Sequence, residues 1–280
     1  MLRPATTADR DVVAALAVAE ETYWWGEPEA TLDEAAEMLD LRGGVERGVV
    51  VADSDGVLGY ASVSVDREAL LVVDVSLDEP PFDELITWIS EQGAREVDAY
   101  SGATRRIARL EHAGWRHARS VFDLHRDGSP LPEPVWPADV EVAPFRQGTD
   151  DEAVYTLIYV DAAWAEVPGH ITRSIETWQS WFTPEYSGWV VRRDGRVVGA
   201  AMGRIYDDGR GWIHQLAIAK SERGVGLGRA LLLHAFRAQL SSGASGLGLS
   251  AQARNARALG LYESVGLAIE REYKVFEPPA

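Results

Sequence analysis

Laid over itself at an offset of 140 residues, this chain repeats, which restricts it to folds built from two copies of one mixed α/β module. Leu2-Arg3-Pro4-Ala5 meets Val142-Ala143-Pro144-Phe145. Ala8-Asp9-Arg10-Asp11 meets Gly148-Thr149-Asp150-Asp151, and each places aspartate where a helix N-cap is predicted. The segment Gly48 to Gly59 meets Gly188 to Gly199, and both read strand, Asp-Gly turn, strand, the pattern of a hairpin. Between the copies, Pro130, Pro132, Pro134 and Pro137 give the composition of a linker. The expected organisation is a first domain over 1–128, a linker over 129–137 and a second domain over 138–280.

The copies diverge where chemistry would sit. In the second, the apolar strand Trp212-Ile213-His214-Gln215-Leu216-Ala217-Ile218 precedes Arg223-Gly224-Val225-Gly226-Leu227-Gly228-Arg229. An amphipathic helix over roughly Arg229 to Leu240 follows. Strand, glycine loop and helix aim successive backbone N–H groups at an anion, and the helix N-terminus adds about half a positive charge. The loop is neither of the commoner phosphate fingerprints: no lysine follows the glycines, and Arg229 stands where a dinucleotide motif needs glycine. In the first copy the corresponding strand runs into Ser76-Leu77-Asp78-Glu79-Pro80-Pro81, where acidic side chains replace the glycines and two prolines remove backbone donors.

The remaining pattern, Arg-x-x-Gly-x-Gly, resembles the acyl-CoA pyrophosphate loop of the GNAT N-acetyltransferase superfamily. Asn255-Ala256-Arg257-Ala258-Leu259-Gly260-Leu261-Tyr262-Glu263-Ser264-Val265-Gly266-Leu267 resembles that family's second signature, at its usual distance from the first. The resemblance implies two tandem α/β domains, each a mixed, bent sheet flanked by helices, with acetyl-CoA as cosubstrate and no metal. It implies that backbone N–H groups of Arg223, Gly224, Val225, Gly226, Leu227, Gly228 and Arg229 hold the pyrophosphate. Leu216, Ala217 and Ile218 would pair with the pantetheine arm, the N–H of Leu216 facing the thioester oxygen. Tyr262 would protonate the leaving thiolate. Asn255 has two readings, a contact to the cofactor arm or a cap on the following helix. In the first copy Leu110 and Ala103 replace Tyr262 and Asn255, so that copy keeps the fold and loses the site.

The general base is the open position. Many relatives, mycothiol synthases among them, carry glutamate where this chain has Trp212. An alternating strand places Trp212, His214 and Leu216 on one face, and His214 is one candidate base. An ordered water near His170 or Glu166 is the other. The tandem arrangement, and the stretch Trp164 to Trp178, resemble the actinobacterial mycothiol synthases, which acetylate a cysteinyl amine. Trp164, His170, Trp178 and Trp212 are the candidate acceptor-side residues, and aromatic faces suit an amine cation. A rival reading from another class is a noncatalytic acyl-CoA-binding or sensing module.

Composition sets outer bounds. A net charge of −17 argues against nucleic acid, which needs a basic face, and favours a cationic partner. The same charge also reads simply as solubility, and the partner the resemblance implies is a small-molecule amine acceptor. The absence of cysteine excludes thiolate chemistry and disulfides, and the six histidines lack paired metal-ligand spacing. No apolar run reaches the ~18 residues of a membrane span, and the charged N-terminus does not read as a secretion signal. A cytoplasmic enzyme is expected, with no oligomeric state assigned.

Overall fold

The computed structural model describes residues 1–28, 30–164, 167, 172–183 and 186–279. Among them the chain forms two compact α/β units, Met1–Val121 with Arg271–Ala280, and Phe122–Glu270.

The first unit contains β1 (Leu2–Pro4), α1 (Arg10–Trp25), α2 (Leu32–Leu41), β2 (Gly48–Ala52) and β3 (Val57–Val63). It continues through β4 (Glu68–Val73), α3 (Phe82–Glu91), β5 (Glu96–Tyr100), α4 (Thr104–His112) and the start of β6 (Arg116–Asp127). Its sheet runs β1-β2-β3-β4-β5 and is completed by β12 (Ala268–Glu277), the last strand of the chain. The pairs β1–β2, β2–β3, β3–β4 and β5–β12 are antiparallel, and β4–β5 is parallel and ends after Ala69 and Val97.

The second unit begins within β6 and adds β7 (Glu141–Pro144), α5 (Asp151–Thr156), α6 (Ile175–Gln179) and β8 (Tyr186–Arg193). A π-type turn over Leu157–Asp161 extends α5. Next come β9 (Arg196–Ile205), β10 (Arg210–Ile218), α7 (Leu227–Ser241), β11 (Gly246–Gln252) and α8 (Ala256–Glu263). The strand order is β6-β11-β10-β9-β8-β7, with β10 and β11 parallel.

The repeat shows in matched local chemistry. Asp9 and Asp150 stand at the N-caps of α1 and α5, as the alignment expects. Neither carboxylate bonds its own helix. Asp9 accepts from the N–H of Thr6 at 2.8 Å, and Asp150 from that of Arg146 at 2.9 Å, each closing the turn that enters the helix. An arginine completes both sites, Arg3 on Asp9 at 2.6 Å and Arg192 on Asp150 at 2.6 Å.

The compact units are not cut at the proline-rich segment. Residues 122–137 lie with the second unit and 271–280 with the first, so the two copies of the repeat exchange their final strands. The segment expected as a linker is coil, but it is anchored on the second unit. Leu131 is buried in that core, its carbonyl accepts from Arg237 at 2.6 Å, and Glu133 pairs with the same guanidinium. Spaced prolines block helix and strand ladders without preventing a side chain between them from docking.

Candidate functional site

β10 and β11 pair from Arg210 with Gly246 as far as Ile213 with Leu249, and no pairing follows. Beyond that point β10 continues to Ile218 paired only with β9, so its other edge is open. A wedge between two parallel strands results, and Leu216, Ala217 and Ile218 form its β10 wall. Ala217 is buried, whereas Leu216 and Ile218 are half-buried.

The loop after β10 leads directly to the start of α7. Gly224 and Gly226 have φ of +86° and +88°, and a Cβ built at either would touch nothing. Glycine is thus required by backbone conformation and not by crowding. α7 begins at Leu227, two residues earlier than its periodicity predicts, with Gly226 as an N-cap that offers no side chain. The first-turn amides of a helix have no intrahelical acceptor. Those of Leu227, Gly228 and Arg229 also gain none from neighbouring backbone among the described residues. Arg223 and Arg229 flank the loop in sequence, and burial together with nearby Arg257 holds the Arg223 pKa below its ordinary value. Arg223 itself braces the loop, donating to the carbonyls of Ile218 at 3.1 Å and Ala162 at 2.7 Å. Sequence reasoning had not found that role.

Tyr262 lies on α8 and is buried, with desolvation alone pushing its phenol up to about 12. Asn255 is the N-cap of α8, its side-chain oxygen accepting from Ala258 N–H at 3.2 Å. The capping alternative is therefore realised, and its amide N–H₂ remains for a ligand contact.

The alternation of β10 is interrupted once. Ile213 lies opposite Gly203 and Gln215 opposite Met202, so His214 is the extra residue of a β-bulge. This corrects the expectation that Trp212, His214 and Leu216 share a face. Trp212, Arg204 and Tyr186 are in cross-strand register, as are Leu216, Ala201 and Trp189. Trp189 packs toward α7, its ring 5.8 Å from His234. Gln215 faces the other way and accepts from Trp178 Nε1 on α6 at 3.0 Å. The bulge thus sends Leu216 to the α7 side and keeps Trp212 and His214 on the α6 side.

His214 is exposed on that side, at the edge of a crevice. Its ring lies 5.3 Å from the Tyr186 ring, and its Nε2 is 3.2 Å from the Tyr206 hydroxyl. The guanidinium of Arg204 stacks on Tyr206 at 4.3 Å. Crowding by these groups, with the charge of Arg204, lowers the His214 pKa to about 4. A hollow of about 320 Å³ bounded by Phe145, Phe182, Thr183, Tyr186 and Met202 shares Tyr186 with the crevice.

The other acceptor-side candidates separate. Trp212 is half-buried, with its ring 5.0 Å from His125 of β6. Trp178 belongs to the core beneath the crevice: it is fully buried and packs on Phe182 at 4.6 Å. Trp164 is half-buried against the same core. His170 and Glu166 lie outside the described residues. Sequence reasoning missed Asp123 and Ser250, which share this face, with Ser250 Oγ donating to Asp123 at 2.6 Å. The signal available was the alternation of polar Asp123 and His125 with apolar Phe122 and Leu124.

The first unit has an equivalent wedge with different contents. Past the β4–β5 pairing, the N–H of Val73 donates to the buried carboxylate of Glu20 at 3.3 Å. Glu20 is in turn paired with buried Arg106 of α4. Protein atoms thus occupy the β4 edge that corresponds to Leu216–Ile218. No described helix is long and apolar enough to cross a membrane.

Comparison with known proteins agrees with this geometry. The Acetyltransferase (GNAT) family profile matches residues 152–267. A mycothiol acetyltransferase of Kineococcus radiotolerans is 31% identical, covering 92% of this chain and 89% of that protein. One from Streptomyces coelicolor is 30% identical over 81% of this chain and 79% of its own length. Among solved structures, a GCN5-related N-acetyltransferase from Sphaerobacter thermophilus superposes with a TM-score of 0.77 at 23% identity, covering 100% of this chain and 96% of that one. A tandem GNAT protein from the clavulanic acid biosynthesis pathway gives 0.72 at 13% identity, covering 99% and 97% respectively.

Proposed function

Because this chain belongs to the GNAT acetyltransferase family, we propose that its second unit takes acetyl-CoA into the β10–β11 wedge and acetylates a primary amine of a small molecule, with both substrates bound together. The carrying observation is the uncapped start of α7, whose first amides no described backbone carbonyl pairs, at the end of a strand whose edge is open. A diphosphate suits such a start: the first-turn amides lack backbone acceptors, the glycines leave room, and arginines flank the loop in sequence.

Acetyl-CoA supplies an acetyl group activated as a thioester; the rest is the work of the chain. The open edge of β10 holds an extended arm by main-chain hydrogen bonds, as an added strand would be held. The N–H of Leu216 stabilises negative charge on the acyl oxygen; removing one donor of this kind typically costs ~2.7–4 kcal/mol of barrier. Tyr262, its phenol held up to about 12, stays protonated at neutral pH and keeps a proton for the departing sulfur. His214, lowered to about 4, is uncharged at neutral pH and a weak base, so in this reading it relays the amine's proton to solvent and does not retain it. Trp212 stands where many relatives carry glutamate, so proton acceptance falls to a neighbour on the same face. The mycothiol acetyltransferases among the relatives make mycothiol precursors the first acceptors to test.

The test has two arms. Acetyl-CoA is expected to raise the melting temperature, and Gly226→Glu to abolish that rise by placing a carboxylate among the phosphate-facing amides. Equal stabilisation of the variant counts against the loop assignment. In the second arm, free thiol release is followed over a panel of primary amines. Stabilisation without release from any amine supports the noncatalytic alternative.

A further inference from the structure

We propose that Ser250 and Asp123 form the docking site for the acceptor's ammonium group, an assignment that rests on the function proposed above. Ser250 is exposed on β11 immediately after Leu249, the last residue of that strand paired with β10. It therefore stands on one lip of the wedge, with bulged His214 following Ile213 on the other. Both belong to the α6 side of the sheet. Gly248, two residues before Ser250, faces Trp212 so closely that a Cβ there would lie 2.4 Å from the indole. Asp123 of β6 reaches the same face from the adjacent strand and is 5% exposed.

The direction of one hydrogen bond decides what this lip recognises. Ser250 has a single hydroxyl proton, and it is committed to Asp123 at 2.6 Å. A carboxylate accepts and cannot donate, so the serine's lone pairs alone remain toward the crevice. An oxygen in that state accepts from N–H and repels acceptor groups such as carboxylate or phosphate. Donation to the carboxylate also makes the serine oxygen a stronger acceptor for a charged N–H. The site therefore selects a protonated primary amine and places its nitrogen between the β11 lip and His214. Ser250 contacts the substrate, and Asp123 acts through it as a positioning residue.

Ethanolamine is the probe, a primary amine small enough to need no recognition of a larger body. Choline is its control, with the same charge and no N–H on nitrogen. Calorimetry on the full-length protein is expected to show ethanolamine binding more tightly than choline, and Ser250→Ala to remove the preference. Ser250→Ala and Asp123→Asn should each raise the ethanolamine KM in acetyl transfer by about 10- to 100-fold, the range of a hydrogen bond to a charged group. Their kcat should change less. Ser250→Thr, which keeps the hydroxyl, should restore binding. Acetyl-CoA should stabilise every variant as it does the parent, which separates a docking effect from misfolding. The proposal is overturned if the parent does not distinguish ethanolamine from choline. Unchanged KM in Ser250→Ala overturns it equally. Loss of acetyl-CoA stabilisation in the parent instead sinks the proposed function and leaves the ethanolamine comparison readable.

Discussion

At the scale of single residues, two ionisable groups are displaced in ways that set their use. His214 has a folded-state pKa of about 4, below its unfolded value, so the unfolded chain binds the extra proton between those limits. Its contribution to stability is complete above about 6.5 and is lost as pH falls through 4. Replacing His214 with glutamine should flatten the dependence of melting temperature on pH across that interval, measured against the parent in one buffer series. Tyr262 shifts in the opposite sense because its charged form is the anion. Tyr262→Phe should lower kcat by about 10²-fold or more while the Kd for CoA moves little. Full turnover in that variant would assign the acid elsewhere.

At the scale of elements, the loop and the two wedges make separable claims. Gly224→Ala and Gly226→Ala place a Cβ at positive φ and should each destabilise by about 1–2 kcal/mol. At Gly228, inside the helix, an added Cβ meets Ile218 and Leu261 at an ordinary 3.5 Å, so alanine should be tolerated there. Urea unfolding of the three variants tests the contrast. In the first unit, Arg106→Met leaves the Glu20 carboxylate buried without its cation and should cost about 3–5 kcal/mol. Much of this level was legible in sequence, because glycine patterns and Asp-Gly turns are local chemistry. The bulge at His214 was not. It is defined by register against β9, and a single strand read alone shows unbroken alternation from Trp212 to Ile218. The burial of Trp178 was not legible for a related reason: its hydrogen-bond partner Gln215 is remote in sequence, and an amphipathic ring beside polar residues looks the same in a pocket or a core.

At the scale of the whole molecule, calorimetric titration should find one CoA bound per chain, because Glu20 and Arg106 fill the first wedge. Two equivalent sites would contradict that reading. The repeat announced the doubled module, but self-alignment compares copies in chain order and is blind to which sheet each strand joins. Asp123 escaped notice on that account, since it belongs by sequence to the first copy and by packing to the second unit. The exchanged strands also bear on how such a gene can change. A fragment starting at residue 138 would lack the β6 strand beside β11 and leave a raw hydrogen-bonding edge, an aggregation hazard. The second unit thus depends on a strand written in the first copy, and selection acting on one keeps part of the other.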